Sequence, residues 1–150
     1  MPQSLSRILI HLVFSAKNRE PILTPAIQTE LHPCLAGILN YIGCPPLQIG
    51  GMEDHVHLFF ALSRTQTIAE VVETVKTSSS KWIKTKAAAF TEFHWQSGYA
   101  AFSISQSDGD MVVTYIRNQA HHHRRMTFQD EYRRLLDRYQ VGFDEKYMWD

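Results

Sequence analysis

The stretch Asp54-His55-Val56-His57-Leu58-Phe59-Phe60 decides the fold, because it reads as a buried strand carrying two polar side chains two residues apart. Side chains on a strand alternate faces, so His55, His57, Phe59 and Ala61 share one face while Val56, Leu58, Phe60 and Leu62 share the other. Two imidazoles side by side on a rigid strand bring their ring nitrogens together at little ordering cost, and can bind one metal ion. Taken alone, the pair reads equally simply as two histidines on a solvated face.

Working outward toward the N-terminus, Gly50-Gly51 allows a tight reversal and residues 45–49 make a short antiparallel neighbour. Before that, Ile27, Leu31, Leu35, Ile38, Leu39 and Ile42 recur at helical intervals behind Thr24-Pro25, a cap followed by proline at the first helical position. Pro33 should kink that helix, and Gly43 should end it. The opening strand is 7–14, with Ile8, Ile10, Leu12 and Phe14 on one face and His11 on the other.

Toward the C-terminus, Thr67 caps a second helix running to about Lys86, with Ser78-Ser79-Ser80 as a weak spot within it. A fourth strand spans 99–105, a third helix 111–125 and a fourth helix 128–138, followed by an aromatic tail. Strand, helix, strand, strand, helix, strand is the α+β, ferredoxin-like (βαββαβ) order: an antiparallel sheet with helices on one face, here with additional C-terminal helices. In that order the first and third strands are neighbours, so parity places His11 on the same, open face as His55 and His57.

At 150 residues and 44% hydrophobic, residues 1–150 should form a single domain with a real core. No apolar run reaches the roughly 20 residues that span a bilayer, and Met1-Pro2-Gln3-Ser4 lacks the layout of a signal peptide, so no membrane partner and a cytoplasmic location are expected. Cys34 and Cys44 lack zinc-knuckle spacing and read as reduced core residues. Net charge is zero and pI near 7.1, so a polyanion partner must be held by local patches. Lys76, Lys81, Lys84 and Lys86 form one such patch on the second helix, although a solvated helix end explains them as well.

The second unusual stretch is Thr114-Tyr115-Ile116-Arg117-Asn118-Gln119-Ala120-His121-His122-His123-Arg124-Arg125. On a continuous helix Tyr115, Gln119 and His122 fall on one face, aligning a phenol, an amide and an imidazole. A solvated face with a basic C-terminal end is the plainer alternative. Together with Asp54-His55-Val56-His57, the run Tyr115-Ile116-Arg117-Asn118-Gln119 resembles the single-tyrosine HUH transposases, in particular those called REP-associated tyrosine transposases. The resemblance extends to Ile10-His11-Leu12-Val13-Phe14-Ser15-Ala16-Lys17-Asn18-Arg19, to Ser79-Ser80-Lys81-Trp82, to Trp95-Gln96-Ser97-Gly98-Tyr99-Ala100-Ala101-Phe102-Ser103 and to the closing residues from Tyr132 to Trp149, and so covers nearly the whole chain in order.

The resemblance implies cleavage of single-stranded DNA, usually beside a hairpin, by a tyrosine that becomes joined to the 5′ phosphate. It implies Tyr115 as the nucleophile on a C-terminal helix, His55, His57 and Gln119 as metal ligands, and Mg2+ or Mn2+ as the metal. His11, Asp54 and His122 would line the site. No nucleotide cofactor is needed, because the phosphotyrosine link keeps the phosphodiester's energy. A homodimer is the common family state. A phenol, with a pKa of about 10, needs help as a nucleophile, and a metal on the phosphate oxygen withdraws the developing charge. Arg117, Arg124 and Arg125, with the four lysines, are the candidates for holding DNA, and Trp82 or Tyr99 for stacking. Two other classes are weighed beside it: a non-catalytic single-stranded nucleic-acid-binding module built on a ferredoxin-like sheet, and a hydrolase of small phosphoesters.

Overall fold

The computed structural model describes residues 2–150; Met1, at the head of the opening stretch read above, lies outside them. Four strands form one antiparallel sheet: β1 Leu9–Ser15, β2 Pro46–Gly51, β3 His55–Ala61 and β4 Ala100–Ile104, in the order β2-β3-β1-β4. With α1 Pro25–Tyr41 after β1 and α2 Ile68–Lys84 after β3, the βαββαβ order is the ferredoxin-like one. β1 and β3 are central neighbours in a register that sets Val13 opposite His57 and Ser15 opposite His55.

Local chemistry sets the element ends. Pro25 stands at the first turn of α1, and the helix runs unbroken through Pro33, which lies on its exposed side, so the missing N–H costs a bond only where water can replace it. Gly43, at φ +77°, ends the helix as expected, and the Cys44 amide donates back to the Leu39 carbonyl. Thr67 caps α2 by accepting from the Glu70 amide at 3.1 Å. The serine run is an anchor there: buried Ser79 donates to the Val75 carbonyl at 2.6 Å and accepts from Trp95 Nε1 at 2.9 Å. Both cysteines are free, and among the described residues no helix is long and apolar enough to cross a membrane.

α1 and α2 pack on one sheet face, against Ile10, Leu12, Phe14, Val56, Leu58 and Phe60. The second face departs from the expectation of an open surface. It is covered by α3 Gly109–Arg117, the short α4 Gln119–His122 and α5 Phe128–Arg138, which pack Ile116, Phe128, Leu135 and Leu136 onto Leu9, Val13, Phe59 and Phe102. The reason is hydrophobic: that face carries large apolar side chains between the histidines, and α5 has an apolar stripe that must be buried. The expected single helix over 111–125 is also broken, since Asn118, at φ −96° and ψ 23°, leaves helical geometry and redirects the chain.

The tail docks on its own domain. Trp149 packs against Tyr132 with ring centroids 5.4 Å apart, flanked by the guanidinium groups of Arg19 at 5.1 Å and Arg133 at 5.4 Å.

Gly50 in β2 fixes how closely α3 can approach the sheet. A Cβ there would lie 2.8 Å from both the Ile116 carbonyl oxygen and Ile116 Cγ2, so α3 would have to lift. Gly50→Ala is expected to destabilise the chain by about 1–3 kcal/mol, read as a lower thermal midpoint, and to displace Tyr115 one residue upstream of that contact.

Candidate active site

β1 and β3 project His11, His55 and His57 from one face of the sheet, and all three are buried. Each β3 imidazole is held through Nδ1: Asp54 Oδ1 lies 2.7 Å from His55 Nδ1, and His11 Nε2 lies 2.8 Å from His57 Nδ1. Both Nε2 atoms therefore point into the space under α4 and α5. Outer partners on one ring nitrogen that aim the other inward are the arrangement found behind metal-ligating histidines.

What they point at is Glu131, a buried carboxylate on α5. Its Oε1 lies 3.2 Å from His55 Nε2, 3.1 Å from His57 Nε2 and 3.0 Å from His123 Nε2. Its Oε2 accepts from Gln119 Nε2 at 2.9 Å and, through a short contact, from the Tyr115 hydroxyl. Gln119 turns its own oxygen to His55 Nε2 at 2.9 Å and to His123 Nε2 at 3.1 Å. One carboxylate thus joins the imidazole pair to the phenol.

The electrostatics follow from burial and this pairing. Burial works against charge on His55, but hydrogen bonds and charge from Asp54 and Glu131 prevail and push its pKa up to about 9. Burial, opposed by Glu131, keeps His57 below the ordinary imidazole value, and burial together with the His57 charge does the same to His11. Burial alone would raise Glu131; the His57 charge and hydrogen bonds from three imidazoles overcome it and hold the carboxylate ionised. Burial and the Glu131 charge push the Tyr115 phenol well above its usual value, so it stays protonated.

The donor set fits a divalent cation. Ligand atoms of His55, His57 and Glu131 lie within 4.8 Å of one another, and Gln119 adds a second oxygen beside them. Two imidazoles with carboxylate and amide oxygens form a mixed nitrogen and oxygen set, more suited to Mn2+ or Mg2+ than an all-imidazole or thiolate site.

Of the residues singled out from sequence, His11, Asp54, His55, His57, Tyr115 and Gln119 come together. His122 sits beside them, its ring stacked on Tyr115 with centroids 4.7 Å apart. Glu131 and His123 were missed. The basic residues divide differently. Lys76 is no free cation: its ammonium donates to the carbonyls of Gln96 at 2.7 Å, Ser97 at 3.2 Å and Gly98 at 2.7 Å, and burial lowers its pKa to about 8. Lys81 and Lys84 lie on α2 and Lys86 just beyond it, across the sheet from Tyr115, and Lys86 pairs with Glu30 of α1 at 3.6 Å. Trp82 packs against the α1 and α2 core with Lys86 over its ring, while Tyr99 is exposed beside Lys76. Arg117 is exposed at the end of α3, and Arg124 and Arg125 line a cleft of about 500 Å³ that reaches Asp54 and Phe128.

Residues 4–119 match the family model described as "Transposase IS200 like". The ISDra2 transposase TnpA of Deinococcus radiodurans is 24% identical over 114 residues, covering 73% of this chain and 81% of that protein. Among solved structures, a protein of Deinococcus radiodurans described as a transposase superposes with a TM-score of 0.62 at 21% identity, covering 79% of this chain and 98% of the other. The REP-associated tyrosine transposase bound to a REP hairpin superposes with a TM-score of 0.60 at 14% identity, covering 82% and 74%. These two likenesses speak for the fold, and the family model, spanning most of the chain, speaks for descent: the chain belongs to the IS200-like, single-tyrosine HUH transposases, enzymes of DNA transposition.

Proposed function

We propose that this chain nicks single-stranded DNA beside a hairpin and transfers the strand through a 5′-phosphotyrosine at Tyr115, with a cation held by His55, His57 and an oxygen donor. The observation that carries the reading is the Glu131 carboxylate, which contacts both imidazole Nε2 atoms through one oxygen and the Tyr115 hydroxyl through the other. The hairpin in the related REP-associated structure makes a hairpin-bearing strand the first substrate to try.

In the proposed step Tyr115 Oη attacks the scissile phosphorus. The bond from phosphorus to the 3′ oxygen breaks, and that oxygen leaves as a 3′ hydroxyl, taking from water a proton that balances the one the phenol gives up. The phenolic proton has an acceptor in place at Glu131 Oε2, to which it is already hydrogen-bonded. One phosphodiester replaces another, so a 3′ hydroxyl can reverse the reaction and join strands. Bound Mg2+ or Mn2+ would polarise the phosphate oxygen as a Lewis acid. Manganese accepts imidazole and oxygen alike and should support the higher rate in vitro. Oxygen donation falls to Glu131 Oε1 and Gln119 Oε1, with Asp54 and His11 fixing the two imidazoles from behind. Tyr115 reaches Glu131 within one chain, so on this reading pairing in a homodimer would serve to hold two DNA ends rather than to complete the site.

The test is to incubate the full chain with hairpin-bearing single strands and Mn2+, digest the product and map the nucleotide by mass spectrometry. The expected result is a nucleotide mass on the peptide containing Tyr115. Cut DNA with a free 5′ phosphate and unmodified Tyr115 would make the protein a hydrolase; tight binding without cutting would make it a recognition module.

A further inference from the structure

Tyr115 opens onto a cavity of about 330 Å³ that the groups discussed so far do not fill. Its walls include Tyr115, His122 and Glu131, together with Arg134 and Arg138, one helical turn apart on α5. Both arginines are exposed, and neither forms an ion pair among the described residues, whereas their neighbour Arg133 is committed to Glu145 at 2.5 Å and Asp130 at 3.4 Å. Arg138 also borders the adjoining cavity on the other side of Tyr115, where His11, Met111, Tyr139 and Asp108 form the lining. The two spaces flank the phenol, and Arg138 spans them.

Two side-by-side guanidinium groups left without carboxylates on the wall of a cavity that also holds a nucleophile form an anion-binding surface. Glu131 shares the cavity wall, but both its oxygens are already engaged: Oε1 lies 3.0–3.2 Å from Nε2 of His55, His57 and His123, and Oε2 accepts from Gln119 Nε2 and the Tyr115 hydroxyl. Asp108 lines the adjoining cavity and not this one. The charge of Arg134 also reaches the phenol, where it acts to ease deprotonation against burial and Glu131. The lysines of α2, by contrast, look out from the opposite sheet face and offer nothing to a phosphate at Tyr115.

We propose that the cavity over Tyr115 seats the scissile phosphodiester of single-stranded DNA, and that Arg134 and Arg138, rather than the α2 lysines, are the side chains that hold it. The inference rests on Tyr115 being the nucleophile.

The experiment compares the full-length protein with Arg134→Gln/Arg138→Gln and with Lys81→Gln/Lys84→Gln, using fluorescein-labelled (dT)20 in anisotropy titrations from 50 to 200 mM salt. The arginine pair is expected to weaken binding tenfold or more at 50 mM salt. It should also flatten the slope of log affinity against log salt by about 1.4, roughly 0.7 for each lost phosphate contact. The lysine pair should change neither by more than twofold. Mn2+ affinity, measured by calorimetry on the same samples, should be unchanged in the arginine pair, which separates lost DNA contact from a disturbed metal site. Loss of binding that follows the lysines, or an arginine variant with wild-type affinity and salt slope, would overturn the proposal while leaving Tyr115 adduct formation intact. A wild-type chain that neither binds (dT)20 nor forms the adduct would overturn it together with the reading it rests on.

Discussion

Tyr115→Phe is expected to abolish the covalent protein–DNA adduct while leaving a folded chain that still binds single strands. The phenol loses only its hydroxyl, and with it one hydrogen bond to Glu131 Oε2, which retains Gln119 Nε2 at 2.9 Å. The other carboxylate oxygen keeps its three imidazole neighbours. No buried acceptor is stranded, so the stability change should stay within about 1 kcal/mol. α3 is anchored by buried Val112 and Ile116, not by the hydroxyl. On the proposed mechanism strand cleavage should fall on the order of 10⁴-fold or more, because the Tyr115 hydroxyl supplies the attacking oxygen, and that corresponds to at least about 5 kcal/mol of barrier. A labelled strand that no longer shifts with the protein on a denaturing gel, with an unchanged thermal midpoint, is the expected pair of readings. An undiminished adduct would move the nucleophile elsewhere.

How much of this site was legible in the sequence depends on whether local periodicity or distant packing places each residue. Parity along two strands was enough to set His11, His55 and His57 on one face, because a strand's alternation survives any packing that keeps it a strand. The helical alignment of Tyr115 with Gln119 and His122 assumed an unbroken helix to Arg125; the break at Asn118 sends Gln119 and His123 into the histidine cluster and leaves His122 against the phenol. Glu131 needed the packing of α5 onto the sheet, which no local pattern states. A signal was nevertheless available. Phe128, Glu131, Tyr132, Leu135 and Leu136 share one buried helical stripe, and a carboxylate on an apolar stripe must have a partner. The α2 lysines show the complementary gap: a basic run shows charge but not which side of the sheet it faces, and the packing of α1 and α2 sets theirs opposite Tyr115.

Glu131→Gln should separate the two services proposed for the carboxylate, to a cation and to the fold. With Mn2+, calorimetry is expected to show affinity reduced by roughly 10- to 100-fold, the scale on which altered metal-site partners act. After chelation the effect is read through pH. His55, lifted to about 9 by its carboxylate partners against burial, contributes stability that is fully present below about pH 6.5 and is lost as pH rises through about 9. Glu131, held below the ordinary carboxylate value by its imidazole neighbours, contributes stability present above about pH 4.5 and lost as pH falls. Metal-free wild type should therefore weaken on the alkaline side through His55 and on the acid side through Glu131, with His57 and His11, held below the ordinary imidazole value by burial, adding a loss that begins as pH falls below about 6.5. In Glu131→Gln the acid-side loss from this group disappears. The alkaline loss shrinks and starts at lower pH, because Asp54 alone then supports the His55 charge. Near pH 7 the variant should be less stable by about 3 kcal/mol, the low end for breaking a buried ionic contact, since His55 can release its proton rather than stay charged without Glu131. Urea unfolding at pH 4, 7 and 9.5 measures all three. A variant with wild-type Mn2+ affinity and a wild-type pH profile would leave Glu131 a bystander and return the oxygen donor's place to Gln119 alone.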